Sequence, residues 1–313
     1  TSIKNQKDVD IIDKPRSTGS ILKPFLYTAM LDQGELLPNS LVADVPTNFG
    51  SYQPENFDKK YAGAISAKLA LSKSLNVPTV RMLQSFGLEK FHHYLQQLKL
   101  KDIKKSANYY GLTLALGGAE SNLWDLCKSY ASLASTVNHY TETSSFYFDN
   151  EFLNPTFYKG ETIDFGKKSN QKIVFDAASI YLTFESLKEV NRPNADENWE
   201  FFDAAKEIAW KTGTSFGFRD AWSIGVTKDY VVGVWVGNAD GEGRPGLVGI
   251  QTAAPILFDV FDKLPNSSWF EKPFDEMTQV EICSKSGYRA TKICEETKLS
   301  YIQNTGLKTE PCP

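Results

Sequence analysis

The chain has 313 residues, 41% of them apolar and 23% charged, the balance of a chain that folds around a core and not of a disordered or collagen-like one. Lysine and arginine number 34 against 38 aspartate and glutamate, a formal net charge of −4, so no basic excess exists to neutralise a phosphate backbone and no nucleic-acid partner is expected. No apolar run approaches the roughly 20 residues that cross a bilayer, and residues 1–20 hold no signal-peptide core.

Residues 1–16 are polar and turn-rich, apart from an apolar island at 9–12. From Ser20 onward Ile21, Leu22, Phe25, Leu26, Ala29 and Met30 recur at helical spacing, and Gly34 and Pro38 close the segment. Residues 38–62 mix short apolar pieces with Pro, Asn and Gly and read as a long irregular connection. A second helix is expected over 63–73, breaking near Asn76-Val77-Pro78, and two short helices over 78–86 and 88–98 on either side of Gly87. Helical periodicity returns at 121–136 and 173–190. Past residue 206 the runs become short, β-branched and aromatic: 208–210, 221–224 and 230–236, the last two joined by Thr227-Lys228-Asp229 as a hairpin. A helix follows at 252–263, and a boundary is expected near 265–275. Helices first and strands later predict an α/β chain of the α+β type, with mixed strands, and not a doubly wound parallel sheet.

The three histidines, His92, His93 and His139, sit in no elbow-like setting, and the chain has no Walker loop, strand-linked G-x-G-x-x-G, HExxH or paired CxxC. Metal, nucleotide and histidine-dependent hydrolase chemistry are therefore disfavoured. Chemistry without histidine can pair a serine nucleophile with a lysine base three residues along a helix, where both share a face. Ser20-Ile21-Leu22-Lys23 meets that need at a helix start, where the Ser20 N–H has no helical partner and is available to an oxyanion.

A lysine at its ordinary value of about 10.4 is protonated at neutral pH and useless as a base. Burial against Leu22 and Phe25 together with a second cation would depress it. Lys211 is the candidate cation, on a strand reading Trp210-Lys211-Thr212-Gly213-Thr214-Ser215. Gly213 lets a ligand approach the backbone, and Thr212 and Thr214 add hydroxyls to the Lys211 charge for a substrate carboxylate. Ser74-Leu75-Asn76 supplies a serine to shuttle a proton and an amide to hold a substrate carbonyl. Each motif alone is weak, since Ser169-Asn170-Gln171-Lys172, Ser106-Ala107-Asn108 and Lys285-Ser286-Gly287 repeat the same patterns in polar loops or the cysteine-bearing tail. The ordered set Ser20, Ser74, Lys211, in a helix start, a post-helix loop and a strand, is the discriminating feature.

With these motifs in place the chain resembles the transpeptidase domain of class A penicillin-binding proteins. The resemblance extends to residues 16–25 (RSTGSILKPF), 52–57 (YQPENF), 70–78 (ALSKSLNVP), 116–120 (LGGAE), 220–222 (DAW) and 234–238 (VWVGN), and covers roughly residues 8–313. It implies a β-lactamase/transpeptidase-like fold, an antiparallel sheet with flanking helices and a helical subdomain. Residues 1–265 would form that domain, with its N-terminal strands missing from this chain and the five-stranded sheet incomplete. Residues 266–313 would begin a Cys-containing extension.

The resemblance further implies a D-alanyl-D-alanine transpeptidase that crosslinks peptidoglycan stem peptides at the periplasmic face of the bacterial inner membrane. It needs no cofactor or metal, is inhibited by β-lactams, and carries a membrane anchor in the full-length protein that is absent here. Ser20 would be the acylated nucleophile, Lys23 its base, Ser74 a proton relay and Asn76 a donor-peptide ligand. Lys211, Thr212 and Thr214 would hold the terminal carboxylate beside Gly213, and the N–H groups of Ser20 and Thr214 would form the oxyanion hole. The rival readings are a serine β-lactamase, a β-lactam sensor and a non-catalytic cell-wall binding module. Among the cysteines, Cys127 reads as a small buried hydrophobe on its helix. Cys283 and Cys294 enclose ten residues, and the oxidising compartment implied by the resemblance favours a disulfide between them. A zinc site using Cys283, Cys294 and Cys312 is the alternative.

Overall fold

The computed structural model describes residues 9–152, 154–156, 160–190 and 206–313; the polar opening residues 1–8 lie outside the described residues. A short strand β1 (Arg16–Ser17) leads through a turn into α1 (Lys23–Gln33). Pro24 sits in the first turn of α1, where its missing N–H costs nothing, and Gly34 at φ 72° ends the helix in the left-handed conformation. Phe25, Leu26, Tyr27, Ala29 and Leu31 of α1 are all 0% exposed. A helix apolar on every side belongs at the centre of a domain, and α1 is there.

The segment expected to be irregular contributes β2 (Leu41–Asp44), which pairs antiparallel with β3 (Gly63–Ser66). The helix expected over 63–73 is therefore shorter, α2 (Ala67–Ser72): its first four residues take strand backbone because β2 supplies their ladder partners. Next come α3 (Asn76–Phe86) and α4 (Leu88–Gln97) around Gly87, then α5 (Ala107–Tyr110), a tight 3₁₀ run and β4 (Glu120–Ser121), which pairs with β1.

The helix expected over 121–136 runs further, as α6 (Leu123–Glu142), with the Asn122 side chain accepting from Asp125 N at its start. Strands β5 (Tyr147–Phe148) and β6 (Lys168–Ser169) pair beside it. Helix α7 (Ala177–Lys188) is capped by Asp176, which accepts from Ser179 N.

Strands β7 (Ala209–Thr214), β8 (Asp220–Val226) and β9 (Val231–Gly237) form an antiparallel sheet in that order, with the expected hairpin between β8 and β9. This sheet has three strands among the described residues. Ala209, Trp222, Ile224 and Val226 face the main core with α1, α6 and α7, while Ile208 and Trp210 face α8 (Gly249–Lys263) through Ala254, Leu257 and Phe261. The sheet is thus a layer between helices, and successive residues of β7 look to opposite sides. A last hairpin, β10 (Met277–Cys283) and β11 (Thr297–Gln303), packs back on the end of α1: Gln303 Nε2 donates to the carbonyls of Leu31 at 3.0 Å and Leu36 at 2.9 Å. Among the described residues no helix is long and apolar enough to cross a membrane.

Candidate active site

Ser20 was expected at the helix start and lies in the turn just ahead of α1; Ile21 N bonds to Thr18 O at 3.1 Å and Lys23 N to Ser20 O at 3.3 Å. That turn is held from several directions. Gly19 adopts φ +52°, and a Cβ there would sit 2.7 Å from Thr214 N. Gly213 of β7 packs on the same turn, since a Cβ on it would meet Thr18 O at 2.7 Å and Ser20 N at 3.3 Å. The side-chain space at Gly213 is thus filled by the turn that carries Ser20. On the other side the Thr18 hydroxyl donates to Ala119 O at 3.0 Å and the Ser17 hydroxyl to Gly117 O at 2.8 Å. Tyr130 Oη donates to Ile21 O at 2.8 Å, and Trp222 Nε1 to Ser17 O at 2.8 Å.

Lys23, the first residue of α1, is 2% exposed, and Lys211 on β7 is equally buried. Strand alternation puts Lys211 on the same sheet face as Ala209, toward α1. Both lysines converge on the loop between α2 and α3. Lys23 Nζ donates to Ser74 O at 2.7 Å, Asn76 Oδ1 at 2.7 Å and Leu75 O at 3.1 Å, with Ser74 Oγ at 3.5 Å. Lys211 Nζ donates to Ser74 Oγ at 2.7 Å and to Thr212 O at 2.7 Å. Burial, and after it the charge of Lys211, holds Lys23 well below the ordinary lysine range, and burial brings Lys211 down to about 7. Ser74 occupies φ +56°, a left-handed conformation that costs a non-glycine residue on the order of 1 kcal/mol. That strained backbone is what turns both its carbonyl and its hydroxyl toward the lysines.

The structure therefore brings Lys23, Ser74, Asn76 and Lys211 into one hydrogen-bonded cluster and sets Ser20 in the turn that packs against Gly213 and Thr214. Thr212 and Thr214 lie on the opposite face of β7 from Lys211, and the Thr214 hydroxyl accepts from Gly249 N at 3.0 Å, at the start of α8. What these threonines share with Lys211 is the edge of β7, which pairs only with β8 among the described residues. The three decoy motifs take no part: Lys172, for example, is spent on Asp32 at 2.5 Å.

Residues outside the three motifs complete the scaffold. Asn56 is 2% exposed; its Oδ1 accepts from Asn76 N at 3.0 Å and Val77 N at 3.2 Å, and its Nδ2 donates to Asp44 Oδ1 at 2.7 Å. Its place in the YQPENF segment was the signal available in the sequence, and the LGGAE segment likewise supplies the carbonyls that hold Ser17 and Thr18. Trp222 was signalled in the same way by the DAW segment, whereas Tyr130 carried no such signal.

A cavity of about 630 Å³ lies away from this chemistry, between α6 and the β8–β9 turn, lined by Trp124, Lys128, His139, Glu151 and Tyr230 among others. Depth alone does not make a site here, and the buried lysine pair is the stronger marker. Cys127 is half-buried on α6, its thiol pushed up to about 12 by burial, and its sulfur occupies the space where a Cβ on Gly233 would stand. Cys283, Cys294 and Cys312 are free thiols whose sulfur atoms lie within 4.8 Å of one another, so the expected Cys283–Cys294 pair is part of a group of three and is not bonded.

Comparison with known proteins places the chain in a family. Residues 3–255 match the family described as penicillin binding protein transpeptidase domain. The chain is 35% identical to penicillin-binding protein 1C of Escherichia coli K12 over 259 residues, 80% of this chain and 30% of that protein. It is 28% identical to penicillin-binding protein 1A of Neisseria cinerea over 78% of this chain and 31% of that one. The chain thus spans under a third of the length of these relatives. Among solved structures, penicillin-binding protein 1A of Haemophilus influenzae superposes with a TM-score of 0.70 at 19% identity, over 98% of this chain and 50% of that one. PonA1 of Mycobacterium tuberculosis in complex with penicillin V gives 0.67 at 20%, over 90% and 76%. The chain belongs to the penicillin-binding protein transpeptidase domain family.

Proposed function

We propose that the chain is the acyl-transfer unit of a peptidoglycan-crosslinking enzyme working outside the cytoplasmic membrane on stem peptides that end in D-alanyl-D-alanine. Residues 1–265 would carry the chemistry and 266–313 would open a further unit. The single observation that supports the reading most is the Ser74 hydroxyl, set between two buried lysines at 3.5 Å from Lys23 Nζ and 2.7 Å from Lys211 Nζ. Burial, and after it the charge of Lys211, lowers the Lys23 pKa, which favours Lys23 giving up its extra proton and serving as the base.

In this scheme Ser20 Oγ attacks the carbonyl carbon between the two D-alanines and its proton passes to Lys23. Negative charge develops on the carbonyl oxygen, opposite the N–H groups of Ser20 and Thr214. The C–N bond then breaks, the departing D-alanine amine takes a proton through Ser74, and an ester on Ser20 remains. An acceptor amine attacks that ester, loses its proton to the same relay and frees Ser20. Asn76 holds the donor amide, and Lys211 with the β7 edge at Thr212 and Thr214 meets the terminal carboxylate. A β-lactam presents a similar carbonyl and carboxylate and acylates Ser20.

Mass spectrometry after incubation with labelled penicillin tests the reading. The expected result is one adduct on the peptide containing Ser20, stable for many minutes, absent in Ser20→Ala and retained in Ser169→Ala. Release of the adduct within seconds would replace the transpeptidase with a β-lactamase. A folded chain that never acylates would leave only a binding module.

A further inference from the structure

The tail carries a second constellation, unconnected with acyl transfer. Cys283 ends β10, Cys294 closes a turn begun by Thr291, and Cys312 lies beyond β11, yet all three sulfurs lie within 4.8 Å of one another. Three thiolates around a zinc ion, with Zn–S bonds of about 2.3 Å, stand about 3.8 Å apart, so small side-chain rotations suffice to close the set. We propose that Cys283, Cys294 and Cys312 bind one Zn²⁺ as a structural site, with water or another donor in the fourth position. Binding releases three thiol protons, forms three Zn–S bonds and changes no oxidation state.

The surroundings favour a metal over a disulfide. The Ser286 hydroxyl donates to Cys312 Sγ at 3.1 Å, and Thr291 N donates to Cys294 Sγ at 3.3 Å. Donors aimed at two of the three sulfurs stabilise thiolates, as partners of metal-bound ligands do, whereas a disulfide sulfur has little use for them. A bond between any two of the three would also leave the third thiol in position to attack it, making the bridge labile.

The ligand-bearing turns are anchored as well. Gly287 takes φ +71°, and a Cβ there would collide with Asn39 O at 1.6 Å. Leu41 N donates to Ser286 O at 3.0 Å, and Cys312 N to Arg289 O at 2.7 Å. The site would thus clip three tail segments to the stretch that links α1 to β2, leaving the Ser20 machinery untouched.

The test uses the whole chain, purified under mild reduction and dialysed against zinc. Elemental analysis is expected to give about one zinc per chain, and alkylation to spare all three cysteines until a chelator is added. Cobalt should replace zinc with an intense sulfur-to-metal charge-transfer band, a readout that needs no mutation. Cys283→Ser and Cys312→Ser should each lose all but about a tenth of the metal while Cys127→Ser retains it. The proposal is overturned by a metal-free chain whose three thiols alkylate at once. It is equally overturned by a chain lighter by two hydrogens, with Cys283 linked to Cys294 or Cys312. Circular dichroism and penicillin labelling on the same samples separate a failed metal site from a failed fold or a failed acyl-transfer assignment.

Discussion

A buried lysine costs stability wherever its charge is kept, and this site has two of them side by side. Lys211, held near 7 in the folded chain against an ordinary 10.5, binds fewer protons folded than unfolded between those values. Its destabilising effect is complete below about 7 and relaxes as pH rises toward 10.5. Lys211→Met is therefore expected to stabilise the domain by about 1–3 kcal/mol at pH 6, with the gain shrinking by pH 9, as urea unfolding at the two pH values would read. The same variant should slow penicillin acylation by about 10²–10⁴-fold. Because it removes the charge that helps depress Lys23, it should also move the rising limb of the acylation pH profile to higher pH. An unchanged profile would mean that burial alone sets Lys23.

The elements meet at two places that a substitution can probe. Strand β7 and the nucleophile turn touch through Gly213, where a methyl group would stand 2.7 Å from the backbone oxygen of Thr18. Gly213→Ala should therefore push the turn off the strand and cut acylation at least about tenfold, with the circular-dichroism spectrum unchanged. Full activity in that variant would show the turn is free to move. Helix α3 has its first N–H groups satisfied by Asn56 from a distant loop, at 3.0 and 3.2 Å. Asn56→Ala should lower unfolding stability by about 1–3 kcal/mol and slow acylation, because Asn76 N is one of the two groups released.

The elements themselves were largely legible. Helix periodicity located α1, α3, α4, α7 and α8 within a few residues and α6 with its end too early, and β-branched runs located β7 to β9. Gly63 to Ser66 were not legible as strand, because nothing local distinguishes them from a helix start; only pairing with β2 does.

At the scale of the molecule the tail hairpin closes on the domain it follows. Gln303 is 0% exposed and donates to the carbonyls of Leu31 and Leu36, so Gln303→Ala removes a buried donor from each, although Leu31 O still accepts from Gly34 N and Thr305 Oγ1. The expected loss is about 1–3 kcal/mol of stability in chemical denaturation, with the acylation rate of the folded fraction unchanged. A change in that rate would tie the tail to the chemistry. The sequence by itself pointed to the family and nominated Ser20, Lys23, Ser74, Asn76 and Lys211, because residue type, order and local context are short-range patterns that need no fold. It also gave no reason to expect a nucleic-acid partner, since net charge is additive and needs no fold. What the tertiary structure alone decided is how groups 51 to 137 positions apart, such as Lys23 and Lys211 on Ser74, come within a hydrogen bond of one another. It also decided that the side-chain space at Gly213 is filled by the turn carrying Ser20, and that three tail cysteines form one cluster. Those are contacts between segments that meet only after packing, and no local pattern encodes a distance across the core.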